Sequence, residues 1–450
     1  MAFACDAGQW PVSLQHPRSF SQTGSELTPG TYIGLPLLYG GVGKIVGILA
    51  LLWLTPLLAG LGVWLMFIAL RRWWGNSAGL IGAVVLAICP AYWYAATQPF
   101  TPTIPFVVLV GAGITFFTKP LLSPLSAFGG GLCAAIALTI RPHEILWLGP
   151  LLIILAIARR IKLSIFIAVI VGMVIPAVVA LFWQGQTFGS IWSTGYNALA
   201  ATSGIGPFTF NPQAILLTVW RYLIQLHWWL TGLFMAAVIG LWRSRQNMSW
   251  WGWYLASVAI IGITQLYIYG SWAVSDSPGI VEPTIGNSQV RYLLPLLISL
   301  VPLVALLLQR WRRWVVVLLT LVWLGWGAYL VMFSVGDGTL AVGRTLASKA
   351  QQLEIILQST QPNTLIIAGK NDKIVVGHRP TTATLSSADW QTVADGLEGE
   401  ENKQGGSAAM YTDKVELPIN ALDKGIVISE YQRLPDNQFL LILIKVLTKV

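Results

Sequence analysis

Charged side chains are scarce in this chain. They make up 10% of its residues, against roughly 25% in a soluble globular domain, which argues against an ordinary soluble enzyme. Acids are scarcer still over the first three quarters. Residues 1–334 hold 16 Lys/Arg but only Asp6, Glu26, Glu144, Asp276 and Glu282. Cysteine is nearly absent. Cys5, Cys89 and Cys133 share no metal or redox spacing, and the last two lie inside apolar runs as small core residues. Residues 1–30 lack the apolar core of a cleavable signal. Nucleotide and hydrolase motifs are missing too. There is no GxGxxG and no HExxH. GGVGKI at Gly40–Ile45 resembles a phosphate loop, but Leu38 stands where that loop needs Gly and Ile45 where it needs Ser/Thr. GNSAG at Gly75–Gly79 lies between two apolar runs rather than at a strand-to-helix elbow, so Ser77 reads as a loop residue.

What is abundant is hydrocarbon. The hydrophobic share is 55%, and ten apolar runs recur at 46–70, 78–96, 103–118, 121–139, 144–160, 163–184, 226–243, 250–270, 291–309 and 314–334. Each reads as a membrane-spanning helix. The fold class expected is mainly α, a polytopic membrane helical bundle of about ten spans, with a small extracytoplasmic α/β domain at the C-terminus.

The net charge of +9 does not indicate a nucleic-acid partner, because the basic excess belongs to the membrane part. Alternate loops hold Arg71 and Arg72; Lys119; Arg159, Arg160 and Lys162; Arg243 and Arg245; and Arg310, Arg312 and Arg313. The positive-inside rule places these in the cytoplasm and both chain ends outside. Trp73, Trp74, Trp183, Trp250, Trp251 and Trp272 fall near run ends, as interfacial anchors do. All five acids of residues 1–334 then face outward, which favours polar chemistry on that face. An inner multi-pass membrane location follows, with residues 1–45 a first outer loop and juxtamembrane segment, 46–334 the transmembrane domain and 335–450 the outer domain.

Two outer loops are long, Gly185–Pro212 and Ser271–Val290, and Gly/Ser/Thr/Pro-rich loops of this length are commonly binding loops. Residues 213–225 read as an interfacial helix. In the tail, 338–360 reads as an amphipathic helix, TLIIAG, DKIVVG, AAMYT and QFLLILIKVL as strands, and SSADWQTVADGLEG as a helix.

Three places concentrate chemistry. Gln15–Gly40 gathers His16, Arg18, Glu26, hydroxyls and a Pro-Gly break just before the first run. Arg141-Pro142-His143-Glu144 sits at an outer turn. There Arg141 and Glu144 can pair at i,i+3, which makes a satisfied turn, while an arginine on the outer face of an apolar bundle can also hold a phosphate. Arg291-Tyr292 opens the ninth run, where a cation opposes the helix dipole and calls for a partner: Asp276, Glu282 or an anionic ligand.

The order and spacing of HPRSFSQTGSELTPGTYIGLPLLYG, GLIGAVVLAICPAYWYAATQPF, ALTIRP, FGSIWSTGYN and TIGNSQVRYLLPLL resemble the bacterial GT-C class of membrane glycosyltransferases. That class includes the protein mannosyltransferases and the aminoarabinose transferases. The resemblance spans most of residues 15–300, and no piece is specific alone. It implies inverting transfer of a sugar from a polyprenyl-phosphate donor at the outer face, to a glycan, lipid or protein acceptor of the cell envelope. A first-loop carboxylate would act as general base, often aided by a divalent metal ion such as Mg or Mn. Carried over residue by residue, donor-phosphate binding falls on Arg141 and Arg291, with contacts from His16, Arg18, His143, Glu144, Tyr196, Asp276, Glu282 and Tyr292.

The chain departs from that pattern in two places. Relatives have a first span before their acidic motif, and an acid in the second outer loop, which here reads TQPFTPTIP. The base would then be Asp6 or Glu26, or the reading frame is clipped at its 5′ end and the chain as it stands is inactive. A lipid-linked glycan flippase and a non-catalytic membrane subunit are the rival readings. Transporters commonly carry internal repeats and midplane polar groups, whereas this sequence shows no repeat and no mid-bilayer carboxylate.

Overall fold

A computed structural model describes residues 20–23, 26–119, 121–159, 161–195, 210–243, 249–271, 283–334, 336–368, 371–375, 378–382, 387–398, 408–412, 416–422 and 426–445. Of the expected site residues, Asp6, His16, Arg18, Tyr196, Asp276 and Glu282 lie outside this set. The chain forms two compact units. One comprises Tyr32–Phe182 and Ile205–Val342, and the other Gly343–Val450 with the described parts of Met1–Thr31 and Trp183–Gly204.

The first unit is helical. In order it contains α1 (Gly34–Val46), α2 (Leu51–Trp74), α3 (Asn76–Ile88), α4 (Pro90–Thr97), α5 (Thr103–Phe117), α6 (Pro124–Ile140), α7 (Ile145–Arg159) and α8 (Leu163–Phe188, whose end belongs to the second unit). It continues with α9 (Pro212–Thr218), α10 (Trp228–Arg243), α11 (Ser249–Gln265), α12 (Ser288–Tyr292), α13 (Leu294–Leu308) and α14 (Arg313–Phe333). Every apolar run of the sequence is helical. Leu51–Trp74, Leu163–Phe188, Gly252–Gly270 and Arg313–Phe333 are each long and apolar enough to cross a membrane, and five further apolar helices are shorter. Their outer faces are hydrocarbon: Ile170, Val174, Ile175, Val178 and Phe182 of α8 are exposed. Lipid rather than water suits such a surface, so the protein is a membrane protein.

Two apolar helices are broken. α3 and α4 meet at 61°, because Pro90 forces Cys89 into extended backbone and then starts the next helix at its first position. Pro212–Gln225 and Trp228–Arg243 meet at 92°, and Val219–Gln225 is a π-helical segment. A second π segment, Leu266–Gly270, ends α11. Helix α13 is the centre of the unit. Leu294, Leu297, Val301, Val304, Ala305 and Leu308 are all essentially inaccessible.

Helix α1, read from sequence as part of the first outer loop, groups with the helical unit. A Cβ on Gly34 would lie 2.3 Å from the Thr139 carbonyl carbon, so only glycine lets its first turn pack on the end of α6. Arg72, at the end of α2, donates to the Thr115 carbonyl at 2.6 Å and to Thr118 Oγ1 at 3.3 Å. A basic side chain thus satisfies carbonyls at the C-terminus of α5, and two basic-loop ends lie together.

In the second unit, β1 (Phe20–Thr23) and β2 (Glu26–Pro29) form an antiparallel hairpin, a pairing the sequence reading missed. Gly195 of the GSIWSTGYN stretch packs against it, since a Cβ there would lie 2.1 Å from the Pro29 carbonyl. The tail comprises α15 (Thr339–Ser359), β3 (Leu365–Ile367), α16 (Asp372–Val375), β4 (Thr381–Thr382), α17 (Ser387–Glu398), β5 (Ala408–Thr412), α18 (Ile419–Leu422), β6 (Ile426–Leu434) and β7 (Gln438–Lys445). The sheet order is β4-β3-β5-β7-β6, parallel at β4-β3-β5 and antiparallel beyond. Alternation along β3 explains the layering. Leu365 and Ile367 pack with Trp390 and Val393 of α17, while Ile366 packs with Ile356 of α15. DKIVVG is not a strand as expected: Asp372–Val375 is a helical turn, with Asp372 in its first turn, where the dipole favours an acid.

Candidate functional site

The site is built around the Arg141–Glu144 turn. Pro142 cannot continue α6, and it drives Arg141 out of helical backbone, to φ −138° and ψ 79°. A single 3-10 turn over Pro142–Glu144 then restarts the chain into α7. The result puts Arg141 Nη2 2.9 Å from Glu144 Oε1, with both side chains buried. The satisfied turn read from sequence is therefore present.

Glu144 is held on all sides. It accepts hydrogen bonds from Trp147 Nε1, from Gln265 Nε2 at 2.6 Å and from the Tyr269 hydroxyl at 3.1 Å. Gln265 and Tyr269 are four residues apart at the junction of α11 with its π segment, so one helix face delivers both. With its lone pairs taken and 1% exposure, Glu144 is built as a fixed anion.

Arg141 is less fully used. Its guanidinium carbon lies 5.4 Å from the ring centroids of Phe106, Tyr269 and Tyr292 alike. Its Nη2 faces Glu144 across the ion pair, while Nη1 is in hydrogen-bonding geometry with no acceptor among the described residues. A buried donor without an acceptor is unfavourable by about 1–3 kcal/mol, and more when charged.

Arg291 also lies against Tyr292, its guanidinium carbon 5.7 Å from that ring. It donates to Ser288 Oγ, and its Nε has no partner among the described residues. Both expected phosphate-binding arginines thus lie against one tyrosine. Near Arg291 lies Asp337, which accepts from the Thr284 hydroxyl. The Tyr94 hydroxyl is close enough to Asp337 and Arg291 to feel both charges. Gly286 lets these groups meet, since a Cβ there would be 2.6 Å from Asp337 Cβ and 2.7 Å from the Tyr94 oxygen.

His143 turns elsewhere, its ring contacting the Tyr32 hydroxyl just before α1. Glu26 lies on β2 in the other unit. Among the described residues no three His, Cys, Asp or Glu side chains converge to hold a metal ion.

The helical unit also holds an apolar cavity of about 650 Å³. Phe106 and Trp147 line it at the Arg141 end, and Trp73, Trp74 and Trp253 line it at the ends of α2 and α11. Its walls come mainly from α2, α5, α7, α11 and α13, with Leu86 of α3 and Tyr92 of α4. From Gly62 to Trp74 it follows α2 for about 18 Å at 1.5 Å per residue.

Sequence reasoning missed Tyr269, Gln265, Trp147 and Asp337. The first three look like ordinary span residues, and Asp337 was assigned to the tail. The available signal was the polar Gln265 inside an otherwise apolar run.

No family model matches the chain, and no curated protein matches it. Two solved structures of ArnT from Cupriavidus metallidurans do. The apo form superposes with a TM-score of 0.56 and the form bound to undecaprenyl phosphate with 0.59, each at 13% identity. Both alignments cover 97% of this chain, and 95% and 96% of the respective ArnT chains. The chain shares the polytopic fold of these ArnT structures.

Proposed function

We propose that this protein is a glycosyltransferase that takes a sugar from a polyprenyl-phosphate donor at the outer face of the membrane. The observation that carries this reading is an apolar cavity lined by Phe106 and Trp147, the ring that packs on the Arg141 guanidinium and the indole that holds its partner Glu144. A polyprenyl chain suits the cavity. A phosphate suits the cations, because it accepts several charge-assisted hydrogen bonds from guanidinium groups. The bound undecaprenyl phosphate of the ArnT structure supports the same lipid class.

In this reading Arg141 and Arg291 hold the donor phosphate. Glu144, with Trp147, Gln265 and Tyr269, fixes Arg141 before the ligand arrives, so that little reorganisation is needed. Tyr292 orients the two cations. As the acceptor oxygen attacks the anomeric carbon, the bond from that carbon to the phosphate oxygen breaks. The arginines then stabilise the negative charge on the departing lipid phosphate. A carboxylate takes the acceptor's proton; Asp6 and Glu26 are the first-loop candidates, and Asp337 is a further acid beside Arg291. Attack opposite the leaving phosphate would invert the anomeric centre.

The test uses the purified protein and three lipids. Undecaprenyl phosphate should bind, undecaprenol should bind at least tenfold more weakly, and radiolabelled sugar should leave an undecaprenyl-phosphate-sugar when an envelope acceptor fraction is added. Equal affinity for the alcohol and the phosphate would remove the arginines from the site.

A further inference from the structure

Beside Arg291, and separate from the apolar cavity, is a small pocket of about 50 Å³. It is bounded by Tyr94 and Gln98 at the end of α4, by Thr101 and Thr103 at the start of α5, and by Asn287 and Arg291. Unlike the large cavity, it sets these polar side chains among a few small apolar ones, Ala91, Ala95, Ile285 and Val290. Two of its polar atoms are buried without a hydrogen-bond partner among the described residues, Thr103 Oγ1 and Arg291 Nε. Thr103 is only 1% exposed, in a position where most helix-start hydroxyls would bond to backbone or water. The neighbouring Thr101 is already used, donating to the Gln98 carbonyl.

A water-sized group needs about 10–15 Å³ of such space. The pocket therefore admits about three to five such groups, one edge of a sugar ring rather than the whole ring. Its chemistry narrows the occupant further. Arg291 Nε can only donate, and the Thr103 hydroxyl can donate or accept. An occupant must offer an acceptor lone pair and tolerate a neighbouring positive charge. A sugar hydroxyl does both, whereas an ammonium offers no acceptor and is repelled. Asp337 touches Gly286 and Tyr94 but does not line the pocket.

We infer that this pocket receives a neutral, hydroxyl-bearing edge of the transferred sugar, with Thr103 as its specificity-determining residue. The inference rests on the proposed donor class, because it shares Arg291 with the phosphate site.

The experiment compares undecaprenyl phosphate with undecaprenyl-phosphate-glucose on the full-length purified protein and on Thr103→Val and Thr103→Ser. In the wild type the glucose lipid should bind more tightly than the bare phosphate. Thr103→Val should weaken the glucose lipid by about three- to tenfold, as loss of one buried hydrogen bond does. It should leave the bare phosphate unchanged, which also reports an intact fold. Thr103→Ser, which keeps the hydroxyl, should restore most of the loss. Unchanged glucose-lipid affinity in Thr103→Val overturns the inference, and so does an equal loss for both lipids. If neither lipid binds the wild type, it is the donor class itself that falls, and the pocket's assignment falls with it.

Discussion

Tyr269 and Tyr292 stack with their ring centroids 4.6 Å apart and their planes 13° from parallel. One comes from a π segment and the other from the helix that follows a long loop, and together they form the aromatic wall on which Arg141 lies. A cation over such a wall gains roughly 0.5–2 kcal/mol, and the ring pair roughly 0.5–1.5 kcal/mol. Tyr292→Leu should therefore lower the affinity for undecaprenyl phosphate by about three- to thirtyfold, with both arginines still present. Tyr292→Phe keeps the ring and should lose far less. Binding measured on the pair of variants checks this, and equal losses would assign the effect to the hydroxyl instead.

Glu144 gives the site its standing anion. Replacing it by Gln leaves Arg141 buried without a counter-charge, a change that costs about 3–5 kcal/mol in comparable buried pairs. The melting temperature of Glu144→Gln should fall sharply. Because a bound phosphate would supply the missing charge, added undecaprenyl phosphate should raise the variant's melting temperature more than the wild type's. A purely structural ion pair would give equal shifts in both proteins.

Arg291 hydrogen-bonds Ser288 and leaves its Nε free among the described residues. Lysine reproduces the charge but not the planar fork. Arg291→Lys should keep the fold and weaken undecaprenyl phosphate binding by about tenfold to a hundredfold. If the arginine serves only to tie down its loop, thermal stability will drop while binding of the folded fraction stays level.

How much of this was legible follows from what each residue type announces. Arg141, Glu144, Arg291 and Tyr292 stood out because charge at the edge of an apolar run is costly, and Pro142 marked the turn that joins two of them. Tyr269, Phe106 and Trp147 did not. In a membrane sequence an aromatic near a helix end reads as an interfacial anchor, and only the fold shows which ones turn inward. Trp73 and Trp74 make the same point, since they line the cavity. The π segments were invisible because they alter the hydrogen-bond period without interrupting the apolar run. In the tail, the amphipathic helix and the β5 and β7 strands were readable from their periods. The DKIVVG turn was not, because a run as short as Ile374–Val376 suits either state until its neighbours are known.

Membrane orientation has its own test. The basic loop ends include Arg71 and Arg72, and the positive-inside rule assigns them to the cytoplasm. On a background without Cys5, Cys89 and Cys133, a cysteine at exposed Gln358 of α15 should react with an impermeant maleimide applied from outside. One at exposed Asn76 should react only after the membrane is permeabilised. The opposite pattern would invert the site to the cytoplasmic face.

The cavity itself can be challenged without touching a polar group. Gly111 of α5 lines it, and a Cβ built there meets no atom within 4 Å. Gly111→Leu therefore adds a branched side chain to open space rather than to packed atoms. Helix propensity favours leucine over glycine by somewhat under 1 kcal/mol, and filling a void adds dispersion contacts, so the melting temperature should hold or rise. A polyprenyl chain occupying the same volume would be displaced. The affinity for undecaprenyl phosphate should then fall at least tenfold, while the arginine cluster that meets the phosphate is unchanged. A short-chain competitor such as dodecyl phosphate, which reaches less far along α2, should lose less than the long lipid. Gly111→Leu binding the long lipid as well as the wild type would show that the chain runs elsewhere, along the outer surface of the helices rather than between them.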